Sequence, residues 1–384
     1  QVTSVSPPGD VIGKLSVGYQ GWFAAQGDGS PVNDWVHWTH LKPGKPRSEN
    51  VKFEIYPDTR EYTKLYETGF ANLGNGQSAK LFSSWDDQTI DTNLKWMQQN
   101  GIDTAALQRF GSELHDPRFN KQRNGIANKV LKFAEKHGRK AYIMWDVSGW
   151  NNFHDEIKSD WKNVIKALTK ESAYAKQNGK PVVCIWGFGF TDRPDNSSQS
   201  LDVIKFLKGQ GAYVIGGVPT HWRTESIDSR KGFMNVYLAF DMISPWAVGR
   251  FSGVEGAKGY YKILEEDLKL CNSKNVDYQP VLFAGFAWAN MMRNNKRNQI
   301  PRLHGDFMWQ QFVNLKKIGI KNSYVAMFDE YDEGTAIAKG AQDKSMIPTD
   351  QYFLTFDADG VKVSSDFYLR LVHDGNKMLK GEIP

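Results

Sequence analysis

Four acidic residues stand within five positions towards the C-terminus, in the segment VAMFDEYDEGTAIAK. They are Asp329, Glu330, Asp332 and Glu333. Two carboxyl groups at one site can cleave a glycosidic bond, because one protonates the leaving oxygen while the other acts as a base or nucleophile. Crowded acids repel one another, which raises the pKa of one of them and keeps it protonated near neutral pH. The segment therefore predicts a catalytic carboxylate pair, with a solvated acidic loop as the alternative.

Alternating amphipathic helices and short apolar runs must position these acids. Ile90, Leu94 and Met97 share one helical face, Gly101 follows them, and the apolar run IDTAALQRF comes next. Glycine is common just past a helix C-terminus because it accepts a left-handed conformation. Later helices are expected to end near Gly138, Gly179, Gly211, Asn272 and Gly319. The apolar runs between them do not alternate with polar residues, which indicates strands covered on both faces, as in a parallel sheet.

Eight such strands are expected, near residues 14–22, 102–110, 141–146, 182–188, 213–218, 238–244, 280–286 and 322–328. Eight strands that alternate with helices favour a closed barrel. A doubly wound sheet is the alternative, but the first strand leads to GYQGWFAAQGDGS rather than to a glycine-rich phosphate turn. We predict the α/β class and a single catalytic (β/α)8 TIM-barrel domain over residues 1–384. Insertions at about 24–88 and 219–237 extend its C-terminal face, and a short β-like run (YFLTFD) and a final helix close the chain.

In such a barrel, catalytic and binding residues lie at the C-terminal ends of the strands. The acidic segment follows the last strand, and this placement favours the catalytic interpretation over the solvated loop. Aromatic and hydrogen-bonding residues recur at the other strand ends, and flat rings suit the faces of sugars, although core packing is the alternative for any single Trp. The predicted substrate-binding residues are Tyr19, Trp22, Trp35, Arg109, Trp145, Asp146, Trp186, His221, Trp222, Asp241, Trp246, Trp288, Asn290 and Tyr331.

Composition limits the other possible functions. The 384 residues carry a net charge of +5 without long Lys/Arg runs, so no nucleic-acid partner is expected, although a weakly anionic polymer is allowed as a substrate. No apolar stretch reaches the roughly 20 residues of a membrane span. His37 and His40 lack the cysteines or the HExxH pattern of a zinc site, so no metal is expected there. Cys184 and Cys271 can form a disulfide, but a chain of this size does not require one.

The chain begins QVTSVSPPGD, without Met. This start predicts a mature chain whose export signal has been removed, and so a secreted, periplasmic or cell-surface location. We expect a monomer whose partner is a polysaccharide or oligosaccharide substrate.

Three stretches resemble a known family. FDEYDEGTAIA is similar to the FNEWHEGTQIE signature of glycoside hydrolase family 99, the endo-α-mannosidases and endo-α-mannanases, and to the broader family 71/99-like group. LFSSWDDQTIDTNLKWMQQNGIDTAALQRF resembles the segment that leads into the family's second strand. FAGFAWANMMRNNKRNQIPRLHGDFMWQQF resembles the segment after its seventh strand, with Arg302 and Gly305 in matching places. Together the three cover about a fifth of the chain.

The resemblance implies a retaining, endo-acting hydrolase of an α-linked polysaccharide such as α-mannan, without a cofactor. It implies that Glu330 is the base that deprotonates the 2-hydroxyl of the substrate and that Glu333 is the acid/base. Asp146 falls where the family has a sugar-binding Glu. Asp329, Tyr331 and Asp332 replace the family's Asn, Trp and His. The alternatives are a hydrolase of another glycan, a non-catalytic glycan-binding protein, and a barrel with a different chemistry.

Overall fold

A computed structural model describes residues 5–40 and 42–384. Eight parallel strands run in the ring order β1 to β8 and back to β1, which confirms the predicted (β/α)8 barrel. The strands are β1 (Leu15–Tyr19), β2 (Thr104–Phe110), β3 (Lys140–Asp146), β4 (Lys180–Trp186), β5 (Tyr213–Val218), β6 (Met242–Pro245), β7 in two pieces (Asp277–Tyr278 and Val281–Leu282) and β8 (Ser323–Val325).

The divided seventh strand closes the ring. Its first piece pairs with β6, where Asp277 lies opposite Met242, and its second piece pairs with β8, where Val281 lies opposite Tyr324. Pro280 separates the pieces. Because proline has no N–H group, it cannot donate a hydrogen bond to either neighbouring strand. The barrel wall is therefore continuous in space although β7 is interrupted in sequence.

Helices cover the outside of the barrel. They are α1 (Asp87–Gln99), α2 (Pro117–Lys136), α3 (Phe153–Asp160), α4 (Ser197–Gly209), α5 (Met234–Tyr237), α6 (Gly253–Ser273), α7 (Asp306–Ile318) and α8 (Phe367–Leu379). A π-helical turn (Trp161–Ile165) and a short helix (Lys166–Leu168) continue α3. The predicted faces pack inwards: Ile90, Leu94 and Met97 of α1 are buried. Gly319 follows α7 in a left-handed conformation, as expected for a residue that ends a helix.

Some predicted boundaries are wrong. The sixth strand begins at Met242 rather than at 238, because residues 234–237 form α5 and the chain turns before the strand starts. Gly179 does not end a helix but lies in the turn between a short strand (Lys176–Gln177) and β4. Asn272 lies inside α6. The run YFLTFD forms no strand, and it is tied by single backbone bonds such as Leu354 N–H to Glu54 O.

Long connections extend the C-terminal face. The segment between β1 and α1 contains an antiparallel hairpin, Tyr66–Glu67 with Lys80–Leu81, and the segment between β5 and β6 contains α5. Cys184 on β4 and Cys271 on α6 are buried free thiols. In the part of the chain that the structure describes, no helix has both the length and the apolar character needed to cross a membrane.

Candidate active site

The four acids after β8 are all buried or nearly so, but they face different surroundings. Asp329 points towards β1, where it accepts hydrogen bonds from Gln20 N (2.7 Å) and Gly21 N (2.9 Å). Asp332 points towards the first long connection. Only Glu330 and Glu333 line the cavity at the C-terminal mouth of the barrel, which has a volume of about 220 Å³. The local geometry thus separates two structural acids from two that can meet a ligand.

Glu330 and Glu333 form a carboxyl pair. Their side chains are close enough to hydrogen-bond when one of them is protonated. Burial, followed by the negative charge of Glu333, raises the pKa of Glu330 well above its ordinary value. Burial also raises the pKa of Glu333, although the bond from Glu330 opposes that shift. Gln20 Nε2 donates to Glu330 Oε2 (3.2 Å) and holds this carboxyl in place. Such a pair can both donate and accept a proton.

The backbone after the pair is held tightly. Gly334 has a positive φ of 68°, and a Cβ there would lie 2.9 Å from the carbonyl oxygen of Ala287, so a larger residue would push the β7 connection away. Ala287 N donates to Glu333 O (2.9 Å). The buried Arg302 donates to the carbonyls of Gly334 (2.9 Å) and Ala336 (2.6 Å). These contacts fix the position of Glu333 relative to the connection after β7 and explain why a glycine follows it.

Trp22 and Phe110 line one wall of the cavity, and the His37 ring stacks on Trp22 without lining the cavity. Trp22 lies between His37, with ring centroids 3.7 Å apart and planes 7° apart, and Phe110, with centroids 5.5 Å apart. His37 Nδ1 is 2.8 Å from Asp332 Oδ2, and Lys52 Nζ is 3.9 Å from the same oxygen. Burial raises the pKa of Asp332 to about 7, while Lys52 opposes the shift. Asp332 and His37 therefore position Trp22 rather than face the cavity.

Asp146 stands on another side of the cavity, at the end of β3. It accepts hydrogen bonds from Gln108 Nε2 (2.8 Å) and from Ser148 N (2.8 Å). Burial raises the pKa of Asp146, while these bonds and the charge of Arg193 oppose the shift. Its carboxylate is thus held in one orientation at the cavity surface.

The structure brings together six of the predicted residues at this cavity. They are Trp22, Asp146, Trp186, Trp246, Glu330 and Glu333. Trp186 and Trp246 pack edge to face, with centroids 5.3 Å apart, and both keep part of their surface exposed. Carboxyl groups and flat rings therefore converge on one space.

Three other predicted residues point away from the cavity. Arg109 and Trp145 both turn outwards from the barrel and donate to Asp160 at the end of α3, at 2.7 Å and 2.8 Å. Tyr19 points towards α1 and donates to Asn93 (2.8 Å). Successive side chains of a strand alternate between its two faces. A residue next to an inward-facing one, such as Arg109 between Gln108 and Phe110, must face the helices.

The remaining predicted residues lie outside the cavity lining. Asp241 is at the opposite end of the barrel, where it accepts from Val214 N (2.8 Å) near the start of β5, because β6 starts later than predicted. Trp222 is fully buried against Tyr237. Four more lie near the C-terminal mouth but have structural roles. Trp35 is buried in the first connection, and the backbone N–H of His221 donates to Asp228. The backbone N–H of Asn290 donates to Glu54, and the Tyr331 hydroxyl donates to the carbonyl of Lys339. Trp288 is partly exposed and donates to Gln299 (3.1 Å).

Several lining residues were not among the predicted site residues. Gln20, Gln108, Phe110 and Arg193 all face the cavity. For the first three, strand alternation was a usable signal, because each lies an even number of positions from another inward-facing residue. Arg193 lies in the irregular loop after β4, where no periodicity indicates its direction.

Among the described residues, no three His, Cys, Asp or Glu side chains lie close enough together to hold a metal ion. His37 and His40 have separate partners, since His40 Nε2 lies 3.4 Å from the carbonyl oxygen of Asn290. A larger cavity of about 610 Å³ lies at the opposite end of the barrel, beside α6 and the end of α7. It contains Glu265 and Asp277 but no paired acids, and it is remote from the strand ends where the carboxyl pair lies.

No protein-family model matches the sequence, and no curated protein matches it. Solved structures do. The endo-alpha-mannosidase of family GH99 from Bacteroides thetaiotaomicron superposes with a TM-score of 0.69 at 13% identity, over 97% of this chain and 98% of that chain. A glycoside hydrolase-like protein superposes with a TM-score of 0.60 at 11% identity, over 98% and 96% of the two chains. The resemblance noted in the sequence therefore holds for the fold along nearly the whole chain: this protein shares the (β/α)8 architecture of the GH99 endo-alpha-mannosidase.

Proposed function

We propose that the protein is a glycoside hydrolase that cleaves an α-linked polysaccharide with retention, using Glu330 and Glu333. The observation that carries the proposal is that the Glu330 and Glu333 carboxyls line one cavity together with Trp22, Trp186 and Trp246. Cleavage of a glycosidic bond needs one group that protonates the leaving oxygen and one that accepts a proton from the group attacking the anomeric carbon, and two carboxyl groups in one cavity can fill these roles. The solved structures with the same fold include a GH99 endo-alpha-mannosidase and a glycoside hydrolase-like protein, which supports the assignment.

Each cavity group has a role in this proposal. One carboxyl of the pair protonates the leaving oxygen and the other accepts a proton from the sugar, in the family's scheme from its 2-hydroxyl. Asp146, oriented by Gln108, accepts a hydrogen bond from a ring hydroxyl. The tryptophan rings cover the apolar faces of the sugar. The cavity volume of about 220 Å³ is on the scale of one sugar unit, so the neighbouring units of a chain lie along the mouth.

Product release from a panel of polysaccharides, α-mannan included, tests the activity. We expect one polysaccharide to be cleaved, and proton NMR at early times should show the new reducing end in the same anomeric configuration as the cleaved bond. Inverted product would refute retention while leaving hydrolysis established. Binding without release from any polysaccharide would replace the hydrolase with a glycan-binding protein.

Two interacting carboxyl groups predict a bell-shaped pH profile for kcat/KM. Activity needs one protonated and one ionised carboxyl, so it falls at low pH when both are protonated and at high pH when neither is. Because burial raises the pKa of Glu330 and Glu333, both limbs should lie above the ordinary glutamate range. Lys52 lowers the pKa of Glu333, so Lys52→Gln should move the acidic limb to higher pH. A limb that stays in place or moves to lower pH in this variant contradicts the assignment.

Two tryptophans at neighbouring strand ends should respond differently to truncation. Trp246 lines the cavity and is partly exposed, so Trp246→Ala should raise KM about tenfold, equivalent to ~1.4 kcal/mol, with little change in Tm. Trp222 is fully buried, so Trp222→Ala should cost about 3–5 kcal/mol of stability. Steady-state kinetics and urea unfolding of both variants measure the contrast. Equal effects on KM would mean that the cavity is not the sugar site.

A further inference from the structure

One arginine faces the carboxyl pair across the cavity. Arg193 lies in the loop after β4, and β4 is diametrically opposite β8 in a closed ring of eight strands. Its guanidinium carbon is 5.1 Å from the centroid of the Trp186 ring and 5.6 Å from that of Phe190. The side chain is 18% exposed. A fixed positive charge therefore lies next to the ring that is placed to cover a sugar.

The hydrogen-bonding groups of Arg193 are not fully used by the protein. Nη1 donates to Asp192 Oδ1 (2.6 Å), and Asp192 is itself 76% exposed. Nε is enclosed and has no partner among the described residues, whereas Nη2 also makes no hydrogen bond to them but is open to solvent, so Nη2 is the nitrogen that a ligand can reach. The nearby Asp146 already accepts bonds from Gln108 and Ser148. A buried donor without a partner is costly, and a guanidinium matches the geometry of a carboxylate or sulfate. Its unused side suits an anion in the cavity.

Contacts between two loops hold Arg193 in place. The loop after β4 is tied to the loop after β5 by the ion pair of Arg230 with Asp195 (2.8 Å), by Arg230 N–H to the carbonyl of Gly189 (2.8 Å), and by a bridge between Phe190 and Ser229. Because both ends of this loop are fixed, the guanidinium is oriented before any ligand arrives, which favours binding.

The mouth of the barrel carries a second positive region near β7. Arg293, Lys296 and Arg297 are exposed in a segment, residues 289–303, that contains no acidic residue. Partial burial lowers the pKa of His40, and Arg293, Lys52 and Lys42 lower it further, which shows that cations from two connections surround one point of the mouth. We call Lys42, Lys52, Arg293, Lys296 and Arg297 the basic rim. A polyanion approaching the cavity would be attracted there.

We propose that the glycan is anionic, and that Arg193 binds a carboxylate or sulfate group on the sugar that lies against Trp186. This inference rests on the proposed function and names the substrate class of the same cavity. The basic rim attracts the rest of the polymer, so its contribution falls with added salt, whereas the enclosed contact with Arg193 is less screened. The specificity of the cavity is then set by a charge and not only by ring shape.

Calorimetric titration with small glycosides tests the inference without requiring turnover. The probes are the methyl α-glycosides of mannose, glucose and galactose, their 6-carboxylate forms (the uronates) and their 6-sulfates. We expect at least one anionic probe to bind the wild type more than tenfold better than its neutral counterpart. Arg193→Gln should weaken that binding about ten- to hundredfold and leave the neutral probes within about threefold. Which anionic series binds distinguishes a uronate from a sulfate.

Lys136→Gln is the matched control. It removes the same charge from an exposed residue at the last turn of α2, at the other end of the barrel, and should leave every affinity unchanged. Equal affinity for neutral and anionic probes, or an anionic preference that survives Arg193→Gln, overturns the inference. The polysaccharide panel separates this failure from that of the proposed function: cleavage of neutral glycans alone refutes the anionic substrate but not the hydrolase. An anionic preference lost in Arg193→Gln, without cleavage of any glycan, supports the anion site and refutes the hydrolase.

Discussion

Replacing either member of the carboxyl pair should nearly abolish hydrolysis. Glu333→Gln and Glu330→Gln each keep the size of the side chain but remove the group that exchanges a proton. General acid–base catalysis contributes about 10²- to 10⁴-fold, and we expect losses of kcat in that range for both variants. Glycan binding should survive, because the tryptophan rings and Asp146 remain in place. Initial rates on the cleaved polysaccharide and calorimetric binding of its oligosaccharides measure the two effects.

A surface glutamate provides the control for this pair. Glu255 is 86% exposed in the first turn of α6, so Glu255→Gln should retain wild-type rates. If Glu333→Gln kept more than about a tenth of the wild-type kcat, the carboxyl pair would not be the catalytic group. If both variants were inactive but also unfolded, as judged by circular dichroism, the more conservative Glu→Asp changes would be compared, since these keep the carboxyl and shorten its reach.

Breaking the buried ion pair behind β2 and β3 should strongly destabilise the protein. Asp160 accepts two bonds from Arg109, both at 2.7 Å, and one from Trp145 at 2.8 Å, in a region nearly closed to water. Asp160→Ala leaves the guanidinium buried without a partner, which costs about 3–5 kcal/mol. The free energy of unfolding, taken from urea titration followed by fluorescence, measures the loss.

Two further variants give this prediction its controls. Asp155→Ala, on the exposed side of the same helix, should change stability by less than about 0.5 kcal/mol. The double replacement Arg109→Met with Asp160→Leu removes both charges together and should recover most of the lost stability. A double variant as unstable as Asp160→Ala would show that the loss comes from packing rather than from the unpaired charge.

The barrel was predictable from the sequence because its signals are local. The helical face of Ile90, Leu94 and Met97 and the continuous apolar runs each reflect burial within a few residues. Strand alternation also separates Phe110 from Arg109, and applying it would have excluded Arg109 and Trp145 from the site. The prediction that Asp241 binds substrate was wrong for a different reason. Four residues of helix before β6 delay the start of the strand, so this carboxylate lies at the other end of the barrel.

The chemistry of the site was only partly predictable. Four acids in five residues indicated a carboxylate pair, but their division into a cavity pair and two structural acids depends on contacts with distant segments. Asp329 meets the backbone of Gln20, and Asp332 meets His37, about 300 positions earlier in the chain. Arg193 depends on a loop fixed by Arg230 from the next connection. No local sequence pattern predicts these contacts, because they form only when distant segments meet in the closed barrel.

The bond between Asp329 and Gln20 N–H joins residues 309 positions apart, and it anchors the segment after β8 that carries the carboxyl pair. Bringing together residues this far apart in sequence requires closing nearly the whole chain into a loop, which costs conformational entropy and slows folding. During synthesis the carboxyl pair can therefore take its place only after the last strand leaves the ribosome and docks against the first. Enzymatic turnover would then serve as a reporter of completed folding: a refolding experiment that follows the return of activity would record ring closure itself, behind the earlier recovery of helical signal.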